Sequence, residues 1–194
     1  MQTSTHLLVA AAALARPAET SRDRWVNAAV LIGALLPDLS IYILFAWARF
    51  MAGYSEAELW SEIYWQEPWQ SLGAISNSFP VFAALALAAA VLKQRWLLFL
   101  AIAALLHLAL DFPLHHDDAH IHFWPLSDWR FESPISYWDD RHFGDVVIWV
   151  ERIFGLVLTV MLWRRFTGRI VRAILVSSMS LYFLVPLYFT LMLG

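Results

Sequence analysis

The chain has 194 residues, of which 60% are hydrophobic and only 15% charged, with a formal net charge of −3. Soluble domains run nearer half apolar and a quarter charged, so this composition argues against a water-soluble globule, and its high hydrophobicity excludes disorder. The acidic balance removes nucleic acid as an expected partner, and the absence of cysteine removes disulfides and thiolate metal sites.

A spanning helix needs about 20 mainly apolar residues. In chain order, the segments that meet or approach this are 4–16, 25–50, 78–92, 96–114, 146–163 and 171–193. The first is the weakest, since its apolar stretch covers roughly 18 Å of a ~30 Å hydrocarbon core. No Lys or Arg precedes that stretch, so a retained helix is expected rather than a cleaved signal. The second is expected to be interrupted at Pro37-Asp38. The third and fourth are separated by a short Lys93-Gln94-Arg95 turn. Residues 1–194 therefore read as a single integral membrane domain. Its expected fold is all-α, a polytopic membrane helix bundle of five to six transmembrane helices with two long outward-facing loops, 51–77 and 115–145.

Orientation follows from basic residues. Arg16, Arg22 and Arg24, then Lys93 and Arg95, then Arg164, Arg165, Arg169 and Arg172 fall in alternate connections. These hold nine of the 13 Lys and Arg residues, which places them in the cytoplasm and the long loops outside. Loop 51–77 carries Glu56, Glu58, Glu62 and Glu67 with Trp60, Trp65 and Trp69, the pattern of an amphipathic segment lying on the membrane surface. The 11 Trp residues read as an interfacial belt.

Ionisable side chains inside a bilayer cost about 2.5–3.5 kcal/mol each at mid-helix and ask for an explanation. His6, Asp38, His107, Asp111, Glu151 and Arg152 all fall within expected spans. Counted from the cytoplasmic ends at about 1.5 Å per residue, they lie roughly 15–23 Å in, on four different helices. Unrelated polar residues would scatter in depth, so this convergence points to a site. His107 and Asp111 are four apart and share a helix face, a two-ligand clip suited to zinc. Pro113 should end their helix. The following His115-His116-Asp117-Asp118-Ala119-His120-Ile121-His122 packs four His and two Asp into eight residues, a density that favours metal. The spacing leaves open which of these are ligands: His120 and His122 suit a strand, His116 and His120 a helical turn. The segment 123–134, aromatic and marked by Pro125 and Pro134, is expected to be ordered and either to cap the site or to lie at the headgroup level.

The residues Thr5-His6, Pro37-Asp38, Asn77-Ser78, His107-Leu108-Ala109-Leu110-Asp111, Trp124-Pro125 and Trp129-Arg130-Phe131 form an ordered series. In this the chain resembles the YdjM-type inner-membrane proteins, called membrane-bound metal-dependent hydrolases. The resemblance covers about residues 1–140. It departs at three positions: Ser40 stands where the family has a second Asp, Asn77 where it has a His, and Leu72 near an upstream His. Two outcomes stay open: ligands recruited from His115–His122, or a member that has lost metal and catalysis.

The resemblance implies a metal-dependent hydrolase of a lipid or lipid-linked phosphoester, with membrane lipids around it and zinc or manganese as cofactor. His6, Asp38, His107 and Asp111 are the expected metal ligands, with one or two of His115, His116 and Asp118 completing the set. Glu151 or Asp117 is the expected general base, and Arg152 the residue that holds an anionic headgroup. The alternatives are a non-enzymatic metal-binding membrane protein and a metal-free scaffold whose buried His and Asp pair across helices.

Overall fold

The structure is a computed structural model that describes residues 1–193, and every regular element among them is helical. Helix α1 spans Thr3–Leu14. Helix α2 spans Ser21–Ala46 and runs on as a π-helical stretch, Trp47–Ala52. Two short helices follow, α3 at Glu56–Ser61 and α4 at Trp69–Ser76. Helix α5 covers Phe79–Val91, α6 Arg95–Asp111, α7 Gly144–Arg165 and α8 Arg169–Leu193.

Local chemistry sets several of these boundaries. Thr20 and Asp23 form a reciprocal capping box at the start of α2, and Ser55 with Glu58 does the same for α3. Ser78 caps α5 by accepting the Val81 N–H at 3.1 Å, with Pro80 in the first turn, where a missing N–H costs nothing. The expected interruption at Pro37-Asp38 does not occur, and α2 continues through it. Proline is tolerated inside such a helix when neighbouring groups satisfy the backbone it disturbs. The ring of Pro37 is fully buried, and the carbonyl that its missing N–H releases is that of Gly33, one turn earlier; the Pro37 carbonyl itself takes an added contact from Asn77 Nδ2 at 3.4 Å.

Among the described residues, two helices are long and apolar enough to cross a membrane, Ser21–Ala52 and Gly144–Arg165. A third crossing is counted if α4 and α5, bent at 47°, act as one span. The 17 residues of α6 reach about 26 Å, and the 12 of α1 about 18 Å, so neither matches the ~30 Å core alone.

Small residues bring the central helices together. Ala10 of α1, Val30 and Ala34 of α2 and Ala103 of α6 form one buried cluster. Such side chains let helix backbones approach closely. Loop 51–77 is fastened to the bundle: Leu59 and Ile63 bury themselves against Leu44 and Ala48 at the end of α2 and its π-helical extension. Loop 112–143 is irregular apart from a short 3₁₀ turn at Asp140–His142. It is nevertheless fastened. Phe79 N–H donates to His122 O at 2.8 Å, Ser133 N–H to His115 O at 2.9 Å and Tyr137 N–H to Leu114 O at 3.0 Å.

Candidate metal centre

Because α1, α2 and α6 approach closely, the polar residues they carry meet. His6, His107 and Asp111 form a buried group whose ligand atoms lie within 4.8 Å of one another. The rings of His6 and His107 stack at 3.5 Å with their planes 9° apart. Asp111 receives one ring on each oxygen: His6 Nε2 is 3.0 Å from Oδ1 and His107 Nε2 is 3.0 Å from Oδ2. Asp38 Oδ1 lies 3.5 Å from His107 Nε2. Its other oxygen accepts the Thr3 hydroxyl at 2.5 Å, and Thr3 also meets Tyr42 OH at 2.7 Å. The Met1 amino group lies 2.5 Å from Asp111 Oδ1.

The second nitrogens decide what these rings offer. His107 Nδ1 lies 2.7 Å from Ala34 O, an atom that only accepts, so Nδ1 carries the hydrogen. That leaves the Nε2 lone pair facing two carboxylates. A lone pair and a carboxylate oxygen repel, so a proton or a metal cation belongs between them. Metal-bound histidines are held in this way, with the remote N–H donated to a carbonyl or carboxylate.

His115 repeats the arrangement from the loop. Its Nδ1 is 2.8 Å from Asp118 Oδ2, which also accepts Trp138 Nε1–H at 3.2 Å. Its Nε2 is buried without a hydrogen-bond partner, 3.6 Å from Asp111 Oδ1. Burial pulls the His115 imidazole down, but Asp111 and Asp118 outweigh it and raise it to about 9. This orphaned nitrogen, beside a carboxylate already flanked by two imidazoles, fits a divalent ion. Three histidines with Asp111 and Asp38 are also the donor types that zinc and its neighbours take.

His120 and His122 lie next to His115, with ring centroids 4.8 Å apart for His115–His120 and 5.7 Å for His120–His122. His122 Nδ1 donates to Asn77 O at 2.9 Å. Burial, then neighbouring His115, lowers His120 to about 3. Burial outweighs the Asn77 carbonyl and lowers His122 to about 4. Both are therefore neutral imidazoles at ordinary pH. The segment His120–His122 adopts neither strand nor helix.

The remaining expected residues stand apart from this group. Asp118 holds His115 from behind. His116 is stacked on His142, with centroids 3.7 Å apart. Asp117 is exposed. Glu151 is buried on α7, where its Oε1 accepts the Gln2 N–H at 2.7 Å and the Thr5 hydroxyl, while Oε2 has no partner. Arg152 Nη2 donates to Tyr182 O at 3.4 Å, and its guanidinium lies 4.9 Å over the Trp149 ring. Segment 123–134 is ordered by Arg130, which donates to Ala119 O at 2.6 Å and to Gln70 Oε1 at 2.9 Å, joining the two long loops.

Thr3 and Tyr42 were not among the expected site residues. Their spacing carried a signal, because Thr3 is three residues before His6 and Tyr42 four after Asp38, each on the face of its partner. Comparison with models of protein families, with curated proteins and with solved structures gives no match to this chain.

Proposed function

We propose that this chain is a membrane-embedded, metal-dependent hydrolase of the YdjM type, acting on a lipid or lipid-linked phosphoester. One observation carries the reading: three imidazoles present Nε2 to Asp111, and two of them are held through Nδ1 by an oxygen acceptor. His6, His107, Asp111, Asp38 and His115 would hold the ion. Zinc suits this set best, and manganese is the second choice. A divalent ion in such a site lowers the pKa of a water and polarises a phosphoryl oxygen.

The chain's own residues supply the rest. Glu151 is the general base: two donors fix its Oε1 and leave Oε2 free to take a proton. Gln2, which donates to Glu151, adjoins Met1, which contacts Asp111, so the two carboxylates are one residue of backbone apart. Asp117, exposed on the loop, is less suited to that task. Arg152 has an unpartnered Nε and offers a guanidinium to an anionic headgroup.

In this reading α1, α2, α5, α6, α7 and α8 make a five- to six-span bundle in the bacterial inner membrane. The basic connections face the cytoplasm and the His-rich loop the periplasm. Membrane lipid then supplies the substrate directly.

A second reading, metal held without turnover, is favoured by Asn77 and Ser40. Asn77 Nδ2 donates to Gly73 O at 3.1 Å and Ser40 Oγ to Pro37 O at 3.3 Å, so both polar groups serve backbone carbonyls. Metal analysis of detergent-purified protein tests the site. About one or two equivalents of zinc or manganese are expected, lost in a His107→Ala/Asp111→Ala variant. Phosphoester turnover that Glu151→Gln abolishes with metal retained supports the hydrolase. Metal without turnover on any lipid phosphoester selects the second reading, and no metal after reconstitution rejects both.

A further inference from the structure

His116 and His142 lie outside the central group, and no step above uses them. Their rings stack at 3.7 Å with planes 25° apart, nearly the arrangement of His6 on His107. Each has its Nδ1 engaged. His116 Nδ1 donates to Ser133 O at 2.7 Å, and His142 Nδ1 to Asp139 Oδ2 at 2.9 Å. Both acceptors are pure acceptors, because Arg141 holds Asp139 as a carboxylate through bonds of 3.0 Å to each oxygen. Both histidines thereby carry a hydrogen on Nδ1, which leaves Nε2 as the nitrogen open to an ion. A carbonyl or carboxylate behind each imidazole is the support that metal-ligating histidines use.

The backbone of the loop, tied to the start of α7 and the end of α6, holds this pair in place. Ser136 N–H donates to His142 O at 2.9 Å, and His142 N–H to Asp139 O at 2.8 Å. Gly144 N–H closes on Asp139 O at 3.0 Å, across Phe143 in the left-handed region at φ 69°. Ser133, which anchors His116, is itself bound through Ser133 N–H to His115 O and through its hydroxyl to Pro113 O at 2.6 Å. The His142 side chain keeps 29% of its surface open, so an ion reaches it from solvent.

We propose that His116 and His142 form a second, peripheral site for a divalent ion of the zinc, nickel and copper class, separate from the central group. Two imidazoles with no carboxylate ligand select this class over magnesium or calcium, and the remaining positions are left to water. The two sites begin at consecutive residues: His115 faces inward to Asp111 and His116 outward to His142. The proposal does not depend on the hydrolase reading.

The test is a zinc and nickel titration of the full chain, stripped of metal in detergent, followed by calorimetry and by metal content after dialysis. The wild-type protein is expected to bind a tighter and a weaker class of ion. His116→Asn/His142→Asn should weaken the weaker class roughly tenfold or more and leave the tighter unchanged. Asparagine keeps an N–H for Ser133 O and Asp139 but has no Nε2, so folding is preserved, and an unchanged Tm checks this. His107→Ala/Asp111→Ala should show the reverse, losing the tighter class and keeping the weaker. Copper added to that central variant should give a paramagnetic spectrum with coupling to two nitrogens, lost when His116 and His142 are also replaced. A titration identical in wild type and the asparagine pair overturns the proposal, as does a single class in wild type that the asparagine pair leaves intact. A weaker class that survives while the tighter is absent would sink the central reading alone.

Discussion

His115 presents a free Nε2 because Asp118 holds its other nitrogen at 2.8 Å. Removing that carboxylate frees the ring to rotate and lets the hydrogen move to the ligating side. Asp118→Ala should therefore weaken metal at the central site roughly 10–100-fold, the usual effect of losing such a support. Asp118→Asn should fall between, since its carbonyl still accepts from Nδ1. Competition against a chelating dye reads both, and wild-type affinity in Asp118→Ala would remove His115 from the ligand set. How far such residues are legible in sequence depends on whether a helix carries them. Depth counting brought His6, Asp38, His107 and Asp111 to one layer because helical rise is a fixed ruler. Beyond Asp111 the ruler ends. His115 and His116 are adjacent in an irregular loop, and nothing in their spacing says that one turns to Asp111 and the other to His142. The partner His142 lies 26 positions on and is reached only by the path of the folded loop.

The central site exists because α2 and α6 run unusually close, and one glycine permits it. A Cβ on Gly33 would fall 2.1 Å from the Leu100 carbonyl oxygen, where backbone cannot yield cheaply. A helical Gly→Ala exchange gains about 1 kcal/mol in propensity, whereas overpacking costs about 1–3 kcal/mol or more, so the sign at Gly33 is destabilising. Gly33→Ala should lower Tm, and it should also lower metal content, because Ala34 O, one residue on, anchors His107. Gly73 in α4 is the control: nothing lies within 4 Å of its added Cβ, so Gly73→Ala should leave Tm level or raise it slightly. Equal thermal shifts in the two variants would refute the close-approach explanation. Element positions were largely legible from hydropathy, as the correspondence of 96–114 with α6 and 146–163 with α7 shows. Two features were not. Helix α4 lies at Trp69–Ser76, inside the segment read as a loop, with its end and the start of α5 set by the Ser78 cap and Pro80. The unbroken run through Pro37 goes with its complete burial in the folded chain, which a local reading does not contain.

Across the whole molecule, three loop histidines with opposed demands shape the response to pH in the metal-free protein. His120 and His122 are lowered from 6.5 to about 3 and about 4 by burial, so the unfolded chain takes up protons before the folded one does. Their contribution is complete above pH 6.5 and is lost as the pH falls toward those values, by about 2 kcal/mol each around pH 5. His115 has the opposite sign. Raised to about 9 by Asp111 and Asp118 against its burial, it contributes fully below pH 6.5 and loses that contribution as the pH rises through about 9. Metal-free protein in detergent should therefore show a Tm maximum near neutrality, with a steeper acid limb from two histidines and a shallower alkaline limb from one. An ion bound by His115 replaces its proton, so the ion makes the stabilising contact that the proton made. Zinc should flatten the alkaline limb, and the acid limb should steepen because protons then compete with the ion for His6, His107 and His115. Thermal scans from acid to alkaline pH, with and without zinc, test this on the intact chain. An alkaline limb that zinc leaves unchanged would mean that His115 pairs with Asp111 for structure alone, and the site would contract to His6, His107, Asp38 and Asp111.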